Sequence, residues 1–344
     1  MSPAAWFDES RLDDEMVWRR ADDRLRALAE AGARVRRETS EAAEATAEAV
    51  ARAIEQQRPR AVIAAGPDSR LLRAVLEPWC PVPFVAWPNP SLPGWAGGLD
   101  LVVVLAHDGG AGSASAVAEA VRRGCQVVVA CPPTSMVAEH AAGRWSTILP
   151  TPGRDQLATA VVMLDYLEQV QLGPRVDAER VATALEDVAI ACSPHRDLAV
   201  NPAKMLAIAM ADTLPVVWGG SVLAARAARR IAESLRRVSG RSALAGDAEH
   251  LLPVLEAART RDVFDDPFSD EPRDLRPMLL VLDDGTEEPV VRESRGRLQA
   301  AAAARGVRVE TLTTDAPTEV ARYASLYLSG SYATEYLGLG LVEV

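Results

Sequence analysis

Three glycine-rich turns hold most of the residues in this chain that could bind or transform a ligand. They are Gly66-Pro67-Asp68-Ser69, then His107-Asp108-Gly109-Gly110 with Ser113 just beyond, and Gly219-Gly220-Ser221. Each turn follows an apolar run and opens a helical pattern, so backbone N–H groups there can approach an anion. Ordinary strand-to-helix turns explain any one of them equally well, but three together favour a binding function. Their spacing matches neither a P-loop nor a G-x-G-x-x-G fingerprint, which disfavours nucleotides.

The second turn contains a histidine next to a carboxylate. Such a pair can supply general acid–base chemistry, which makes His107 a catalytic candidate. Neighbouring residues on a strand point to opposite faces, so His107 and Asp108 need not share a pocket, and a loop pair without a catalytic role is the alternative. Ser193 and Ser221 have no candidate base in the sequence, so hydrolase chemistry is unsupported.

Other reactive residue types are sparse. Lys204 is the only lysine, so any Schiff-base mechanism would have to use it. Cys125 and Cys131 bracket a predicted strand that would hold them roughly 20 Å apart, and no C-x-x-C motif occurs. We therefore expect reduced, buried cysteines and no structural zinc site. One acidic loop could bind a cation, although a solvated loop is the favoured interpretation. Its residues are Asp265, Asp266, Asp270 and Glu271.

Composition and charge disfavour several classes of function, including nucleic-acid binding and membrane association. The chain has 344 residues, 49% of them hydrophobic, which is typical of a globular protein large enough for two domains. With 37 basic and 48 acidic residues the net charge is −11 and no basic stripe is visible, so nucleic acid and anionic membranes are poor partners. No apolar run reaches the ~18 residues of a membrane span. The charged first residues do not resemble a signal peptide, so we expect a cytoplasmic protein.

Apolar runs alternate with helical patterns, which predicts an α/β fold. Nearly continuous apolar strands in β-α-β order imply parallel sheets covered by helices on both faces. Two connecting helices at about 154–171 and 177–191 separate the halves, after which the pattern restarts. Strands are expected at 61–66, 83–87, 99–107, 126–131, 146–150, 214–220, 241–246, 278–284 and 307–312.

The predicted organisation is two α/β domains, each a parallel sheet flanked by helices in three layers. N-terminal accessory helices occupy residues 1–57, with helix expected over 11–57. The first domain spans 58–175, a linker helix 176–194 and the second domain 195–344.

The order of elements and several segments resemble sugar isomerase (SIS) domains. The run DLVVVLAHDGGAGSASAVAEAVRRGCQVVVA is similar to the SIS core, where a strand ends in a Ser-x-Ser-Gly-x-Thr turn. The second half resembles the bifunctional phosphoglucose/phosphomannose isomerase branch in NPAK, LPVVWGGS and SLYLSGSYATEYLGLGL. Pro152-Gly153-Arg154 echoes that branch's entry to its linker helix, and SALAGDAEHLLPVLEAARTRDVFDDPFSD resembles actinobacterial TobH-like proteins. The resemblance implies two SIS-type domains, a sugar-phosphate ligand, no cofactor or metal, and a homodimer.

Departures from the family limit what the resemblance implies about activity. In the phosphate turn, the family's three hydroxyl positions fall on Ala106, Asp108 and Ala111, although Ser113 and Ser115 lie one turn later. A carboxylate therefore stands where a donor is expected.

The family's proton-transfer residues are also replaced. Its general base falls on Arg236, with Glu233 one helical turn earlier, and its ring-opening histidine and C-terminal lysine have no counterpart. Isomerisation needs a base near C1 and C2 and an acid to open the ring.

Two hypotheses follow. The favoured one is an SIS-fold protein that binds a carbohydrate derivative such as a sugar phosphate, or a partner protein, and is weakly active or inactive. The alternative is an active aldose–ketose isomerase that converts glucose-6-phosphate or mannose-6-phosphate to fructose-6-phosphate. There, backbone amides and Arg154 would bind phosphate, and His107 or Glu233 would transfer protons. In both, we expect the ligand between the halves, bounded by the three glycine-rich turns.

The last helical segment carries an aromatic and leucine stripe. It fits a dimer interface and core packing equally well. Its residues are Tyr323, Leu326, Tyr327, Tyr332 and Tyr336.

Overall fold

Two compact units make up the protein. The structure is a computed structural model and describes residues 6–259 and 275–342. Ala31–Thr183 form one unit, here called the first-sheet unit. Met1–Glu30 and Ala184–Val344 form the other, called the second-sheet unit.

The predicted strands, and the helices between them, occur close to their expected positions. The strands are β1 Trp6–Phe7, β2 Val62–Ala65, β3 Phe84–Trp87, β4 Leu101–Leu105, β5 Gln126–Cys131, β6 Ser146–Pro150, β7 Thr213–Gly219, β8 Leu244–Ala245, β9 Arg276–Asp283, β10 Arg308–Thr313 and β11 Leu341–Val342. The helices are α1 Glu15–Trp18, α2 Asp22–Ala29, α3 Ala31–Ile54, α4 Ser69–Leu76, α5 Ala111–Arg122, α6 Met136–His140, α7 Gln156–Gln169, α8 Ala178–Ala191, α9 Pro202–Met210, α10 Val222–Ser239, α11 Ala248–Glu256, α12 Pro289–Ala304 and α13 Glu319–Gly340.

The first-sheet unit contains a five-stranded parallel sheet in the order β3-β2-β4-β5-β6. Val62 of β2 lies opposite Phe84 of β3 on one side and Leu101 of β4 on the other. Both β2 and β4 are apolar and buried along their whole length, as a sheet covered by helices requires. Helices α3 and α7 pack on each other and α7 packs on β4 and β5, while α5 packs on β4, β5 and α6. These observations confirm the predicted parallel α/β architecture for this unit.

The second-sheet unit contains a four-stranded parallel sheet in the order β10-β9-β7-β8. Val216 of β7 lies opposite Leu279 of β9 and Leu244 of β8. The two sheets share a strand order. When the strands of each sheet are numbered along the chain, four neighbouring strands lie in the order 2-1-3-4, as β3-β2-β4-β5 in the first sheet and β8-β7-β9-β10 in the second. The buried run of β9 packs with α11 and α12 through Leu252 and Leu298.

The aromatic stripe of α13 is core packing within the second-sheet unit. Leu326, Tyr332 and Tyr336 are fully buried and Tyr323 nearly so, while Tyr327 is partly exposed. The stripe therefore gives no support to an interface, and the homodimer stays a prediction.

The range 11–57, expected to be helical, is divided into several helices that end at Ile54. Asp14 accepts the Met16 N–H and caps the short α1, as a carboxylate before a helix can. The backbone N–H of Glu30 donates to the Arg26 and Leu28 carbonyls and ends α2 before α3 begins at Ala31. The pairing of β1 with β11, Trp6 opposite Val342, was not predicted. The predicted N-terminal block is divided between the two units, and the other domain boundaries stay predictions.

The four cysteines are free, and all are buried as expected except Cys80, which is partly exposed. Within residues 6–259 and 275–342, no helix is long and apolar enough to cross a membrane. The same residues contain no group of three or more His, Cys, Asp or Glu side chains that could hold a metal ion. The acidic loop with Asp265, Asp266, Asp270 and Glu271 lies outside the described residues.

Candidate functional site

The strand order of the first sheet predicts a ligand crevice at its carboxyl edge. The chain leaves β2 towards β3 and leaves β4 towards β5, on opposite sides of the sheet centre. Loops that diverge in this way open a crevice, which is where ligands bind in sheets of this type. The turn Gly66–Ser69 forms one side of this crevice and His107–Gly110 the other.

One side-chain network spans the crevice. His107 Nδ1 lies 2.7 Å from Asp68 Oδ2, and the Gln156 amide donates to Asp68 Oδ1. The side chains of His107 and Asp68 are 27% and 15% exposed, so the pair is shielded but within reach of a small ligand. An Nδ1–H donated to Asp68 leaves Nε2 as the ring atom that can exchange a proton.

Surrounding carboxylates favour the charged form of His107. The hydrogen bond to Asp68 raises the pKa of His107, and the charges of Asp68, Asp108 and Asp155 act in the same direction, whereas burial opposes them. The first turn of α5, next to the histidine, leaves backbone N–H groups without helical acceptors. An imidazolium beside those N–H groups attracts an anion.

Asp108 is not the partner of His107. Its Oδ1 accepts the Gly110 N–H at 2.9 Å and closes the turn before α5. The side chain is exposed, so its charge lies near the start of the helix, where it would repel an anion at close range.

The glycines allow the turns to pass close to one another. Gly66 and Gly109 have φ values of 88° and 65°, in the left-handed region that favours glycine. A Cβ on Gly66 would lie 3.3 Å from Ser113 Oγ, and Ser113 is only 2% exposed. Ser69 is also buried, and its hydroxyl has no hydrogen-bond partner among the described residues. Ser113 therefore belongs to the floor of the crevice, while Ser115 is exposed on α5.

Arg154 lies in the turn between β6 and α7. It precedes Gln156 by two residues, so the turn reaches the His107–Asp68–Gln156 network directly. Its side chain is exposed, and its φ of 53° is unusual for a residue with a side chain.

The second sheet has an equivalent crevice between β7 and β9. The Ser221 hydroxyl donates to Asp284 Oδ2 and accepts the Ala224 N–H at 3.0 Å, which caps α10. A Cβ on Gly219 would overlap the backbone of Ala224, so this turn requires glycine.

A cavity of about 360 Å³ opens beside this turn, a size suited to a small molecule. Gly219, Gly220 and Ser221 line it together with Arg229 and Asp247. The last two form a long, exposed ion pair of 3.7 Å. The structure thus gathers the third predicted turn around one cavity. That one ligand contacts all three turns stays a prediction.

Glu233 does not reach that cavity. It lies on α10 four residues beyond Arg229, the last residue of that helix that lines the cavity. Its carboxylate pairs with Arg230 at 3.2 Å. Arg236, which the resemblance aligns with the family's general base, donates to the Ala243 carbonyl.

Lys204 is not available for Schiff-base chemistry. The residue is fully buried, and its ammonium lies near the rings of Trp18 and Tyr336. Its three donors are taken by Asp13 Oδ1 at 2.6 Å, the Pro194 carbonyl at 2.8 Å and the Arg196 carbonyl at 2.9 Å.

Sequence reasoning missed Gln156 and Asp284. Both follow strands of the parallel sheets, Gln156 shortly after β6 and Asp284 directly after β9. Polar side chains just beyond a buried strand are the signal that could have identified them, because carboxyl ends of parallel strands meet at one edge.

Comparisons with known proteins give a family for the second half and a fold for the chain. Residues 199–341 match the family described as bacterial phospho-glucose isomerase C-terminal SIS domain. The chain is similar to tagatose-6-phosphate ketose/aldose isomerase from Escherichia coli, at 12% identity, covering 92% of this chain and 95% of that one with a TM-score of 0.62. It is also similar to the C-terminal domain of glucosamine-fructose-6-phosphate aminotransferase from Francisella tularensis, at 12% identity, 90% and 97% coverage and a TM-score of 0.57.

A third similar structure is a glucose-6-phosphate isomerase like protein from Thermus thermophilus. It shares 16% identity, with coverage of 82% and 81% and a TM-score of 0.51. At such identities these likenesses show the fold alone. No curated protein sequence matches the chain. The SIS resemblance is confirmed for the second half, and closeness to TobH-like proteins stays a prediction.

Proposed function

We propose that this protein binds a sugar phosphate, or a related anionic carbohydrate, in the crevice of the first-sheet unit, with weak or no isomerase activity. The observation that carries this proposal is the His107–Asp68–Gln156 network at the switch point of the sheet. The raised pKa of His107 favours its cationic form, which attracts phosphate beside a helix N-terminus, and the neighbouring carboxylates and amide suit sugar hydroxyls.

The comparisons support the ligand class. The second half matches a phospho-glucose isomerase family, and the solved structures of similar fold are named as proteins of phosphosugar chemistry. The missing residues support binding over catalysis. Ala106, Asp108 and Ala111 replace the hydroxyl donors, and Arg236 replaces the base.

The contact between His107 and Asp68 favours the alternative, an active aldose–ketose isomerase. A carboxylate that orients an imidazole is the arrangement of a general base, and His107 Nε2 could take the proton that moves between C1 and C2. A coupled assay from glucose-6-phosphate and mannose-6-phosphate to fructose-6-phosphate separates the two. Turnover near ordinary enzyme rates that is lost in Asp68→Asn would establish the isomerase and contradict the binding function.

Calorimetry tests the binding proposal. We expect glucose-6-phosphate, mannose-6-phosphate or fructose-6-phosphate to bind more tightly than the unphosphorylated sugars. His107→Gln should weaken phosphate binding about tenfold, as expected for loss of a charge-assisted hydrogen bond. His140→Gln is the matched control, because His140 is an exposed histidine of the same unit on α6. Asp108→Ser should tighten sugar-phosphate binding by removing a repulsive charge.

Two outcomes would contradict the proposal. One is no heat of binding with any of the three sugar phosphates. The other is equal affinity of His107→Gln and His140→Gln. If Asp108→Ser instead weakens binding of a neutral sugar, Asp108 accepts hydroxyls and the ligand is not held through phosphate at this turn.

Other features implied by the resemblance are proposed here as well. We expect a homodimer in the cytoplasm, and a light-scattering mass equal to one chain at micromolar concentration would contradict the dimer.

A further inference from the structure

A buried carboxyl on α3 holds the backbone of the turn that carries Arg154. Glu38 is fully buried, its Oε1 accepts the Gly153 N–H at 2.7 Å, and its Oε2 has no hydrogen-bond partner in the described ranges. A Cβ on Gly153 would overlap Oε1, so this close approach requires glycine. Burial raises the pKa of Glu38, against the effect of the Gly153 hydrogen bond.

Two further contacts hold the same turn. Asp155 caps α7 by accepting the Ala158 N–H at 2.9 Å, and its second oxygen accepts from Arg34 Nε at 3.1 Å. The next residue, Gln156, donates to Asp68 in the crevice. The turn is therefore tied to α3 on one side and to the candidate site on the other.

Arg154 lies between these held residues and is itself unpaired within residues 6–259 and 275–342. It is exposed, with a φ of 53°. A side-chain-bearing residue in this region is strained, and such strain persists where surrounding contacts determine the backbone. Strained residues of this kind cluster at ligand-binding positions, and a guanidinium with no protein partner suits phosphate.

We propose that Glu38 is a positioning residue, which holds the Gly153–Gln156 turn so that Arg154 meets the phosphate of the bound sugar phosphate. The inference rests on the proposed function, because the ligand is the one proposed above. Glu38 acts through the Gly153 N–H and does not touch the ligand. An acceptor oxygen at this place is sufficient, and a negative charge is not needed.

Calorimetry with glucose-6-phosphate and glucose tests the role of Glu38. Glu38→Leu removes the acceptor and should raise the Kd for glucose-6-phosphate about tenfold, while leaving glucose binding unchanged. Glu38→Gln keeps a carbonyl oxygen and should restore affinity to within about threefold of the original protein. Arg154→Gly should lose at least as much phosphate affinity as Glu38→Leu.

Gln171→Gly is the matched control for relief of backbone strain. Gln171 follows α7 in the same unit with a φ of 60°, and its replacement should leave glucose-6-phosphate binding unchanged. Hydrogen exchange of the Gly153 amide gives a readout that needs no ligand. We expect it to be faster in Glu38→Leu and unchanged in Glu38→Gln.

The outcomes separate this inference from the proposed function. If the original protein binds no sugar phosphate, the proposed function fails and the positioning role fails with it. If it binds, but Glu38→Leu or Arg154→Gly binds as tightly, only the positioning role is overturned. Loss of affinity in Glu38→Gln equal to that in Glu38→Leu would also overturn it. If Glu38→Leu does not fold, the positioning role is overturned by a loss of affinity well beyond threefold in Glu38→Gln, or by unchanged glucose-6-phosphate affinity in Arg154→Gly.

Discussion

Replacing Lys204 with methionine tests the buried cation of the second-sheet unit. Methionine retains most of the apolar stem but removes three hydrogen bonds, to Asp13 and to the carbonyls of Pro194 and Arg196. It also removes a cation that lies 5.0 Å from the centre of the Trp18 ring. The N-terminal segment that carries Asp13 and Trp18 would lose its attachment to α9.

The size of the effect follows from these contacts. A hydrogen bond to a charged group contributes about 1.5–3 kcal/mol, so the two carbonyl bonds together contribute about 3–6 kcal/mol. The Asp13 side chain is 46% exposed and can bind water once Lys204 is replaced, so the Lys204–Asp13 ion pair adds little to the loss of stability. Methionine avoids the cost of burying an ammonium, which lowers the net loss to about 3 kcal/mol. That corresponds to a fall in Tm of about 6–12 °C for a unit of this size.

Urea unfolding of Lys204→Met, followed by tryptophan fluorescence, measures this loss. Asp13→Asn is the control: it keeps an acceptor oxygen and removes only the charge, so it should cost about 1 kcal/mol or less. An amine-reactive reagent gives a second measurement, since the only lysine should react in unfolded but not in native protein. A loss of unfolding free energy below about 1 kcal/mol in Lys204→Met, or rapid labelling of Lys204 itself in the native protein, would refute the reasoning.

Three further predictions concern the two crevices. In Asp68→Asn, the pKa of His107 should fall towards 6.5, as measured by NMR titration. Because Asp68 raises the pKa of His107 in the folded protein, its stabilising effect is fully present below pH 6.5 and is lost as the pH rises through the raised pKa. A difference in unfolding free energy between the original protein and Asp68→Asn that grows with pH would contradict this. Gly219→Ala should lower the free energy of unfolding by about 3 kcal/mol, because the added Cβ overlaps the backbone of Ala224. Gly296→Ala, in open space on α12, is the control and should raise it by about 0.5–1 kcal/mol. Equal effects in thermal unfolding would show that the Gly219 turn adjusts to the extra Cβ. Arg154→Gly should not lower the Tm, since relief of about 1–2 kcal/mol of strain offsets the added chain entropy of glycine, and a loss above about 1 kcal/mol would show that the turn is unstrained.

The strands and helices were predictable because their signals are local. The run LVVVL of β4 is apolar at every position and buried throughout, so its composition predicts a buried strand of a parallel sheet. The start of α9 was also predictable, because Asn201 and Pro202 are typical of the N-cap and of the first helical position. Asn201 does accept the N–H groups of Ala203 and Lys204. The helices between these strands carry signals of the same kind.

The candidate site could be predicted only in part, because its contacts join residues far apart in sequence. His107 meets Asp68 across 39 residues, and Gln156 reaches Asp68 across 88. Strand order determines which turns become neighbours, and no local pattern specifies that β4 lies beside β2. The adjacent carboxylate Asp108 therefore suggested a pair that the backbone directs elsewhere.

The replaced hydroxyls and the new network have a common physical consequence. Hydroxyl and amide donors hold a phosphate by directed hydrogen bonds, whereas His107 and Arg154 would attract it chiefly through charge. Charge is less demanding of ligand geometry, and near Asp108 it is partly cancelled. Under the proposed function, a crevice organised in this way would retain affinity for a phosphorylated sugar while no longer fixing C1 and C2 against a base. Loss of turnover with retention of binding is thus the expected result of these particular substitutions, and not a contradiction between the fold and its missing catalytic residues.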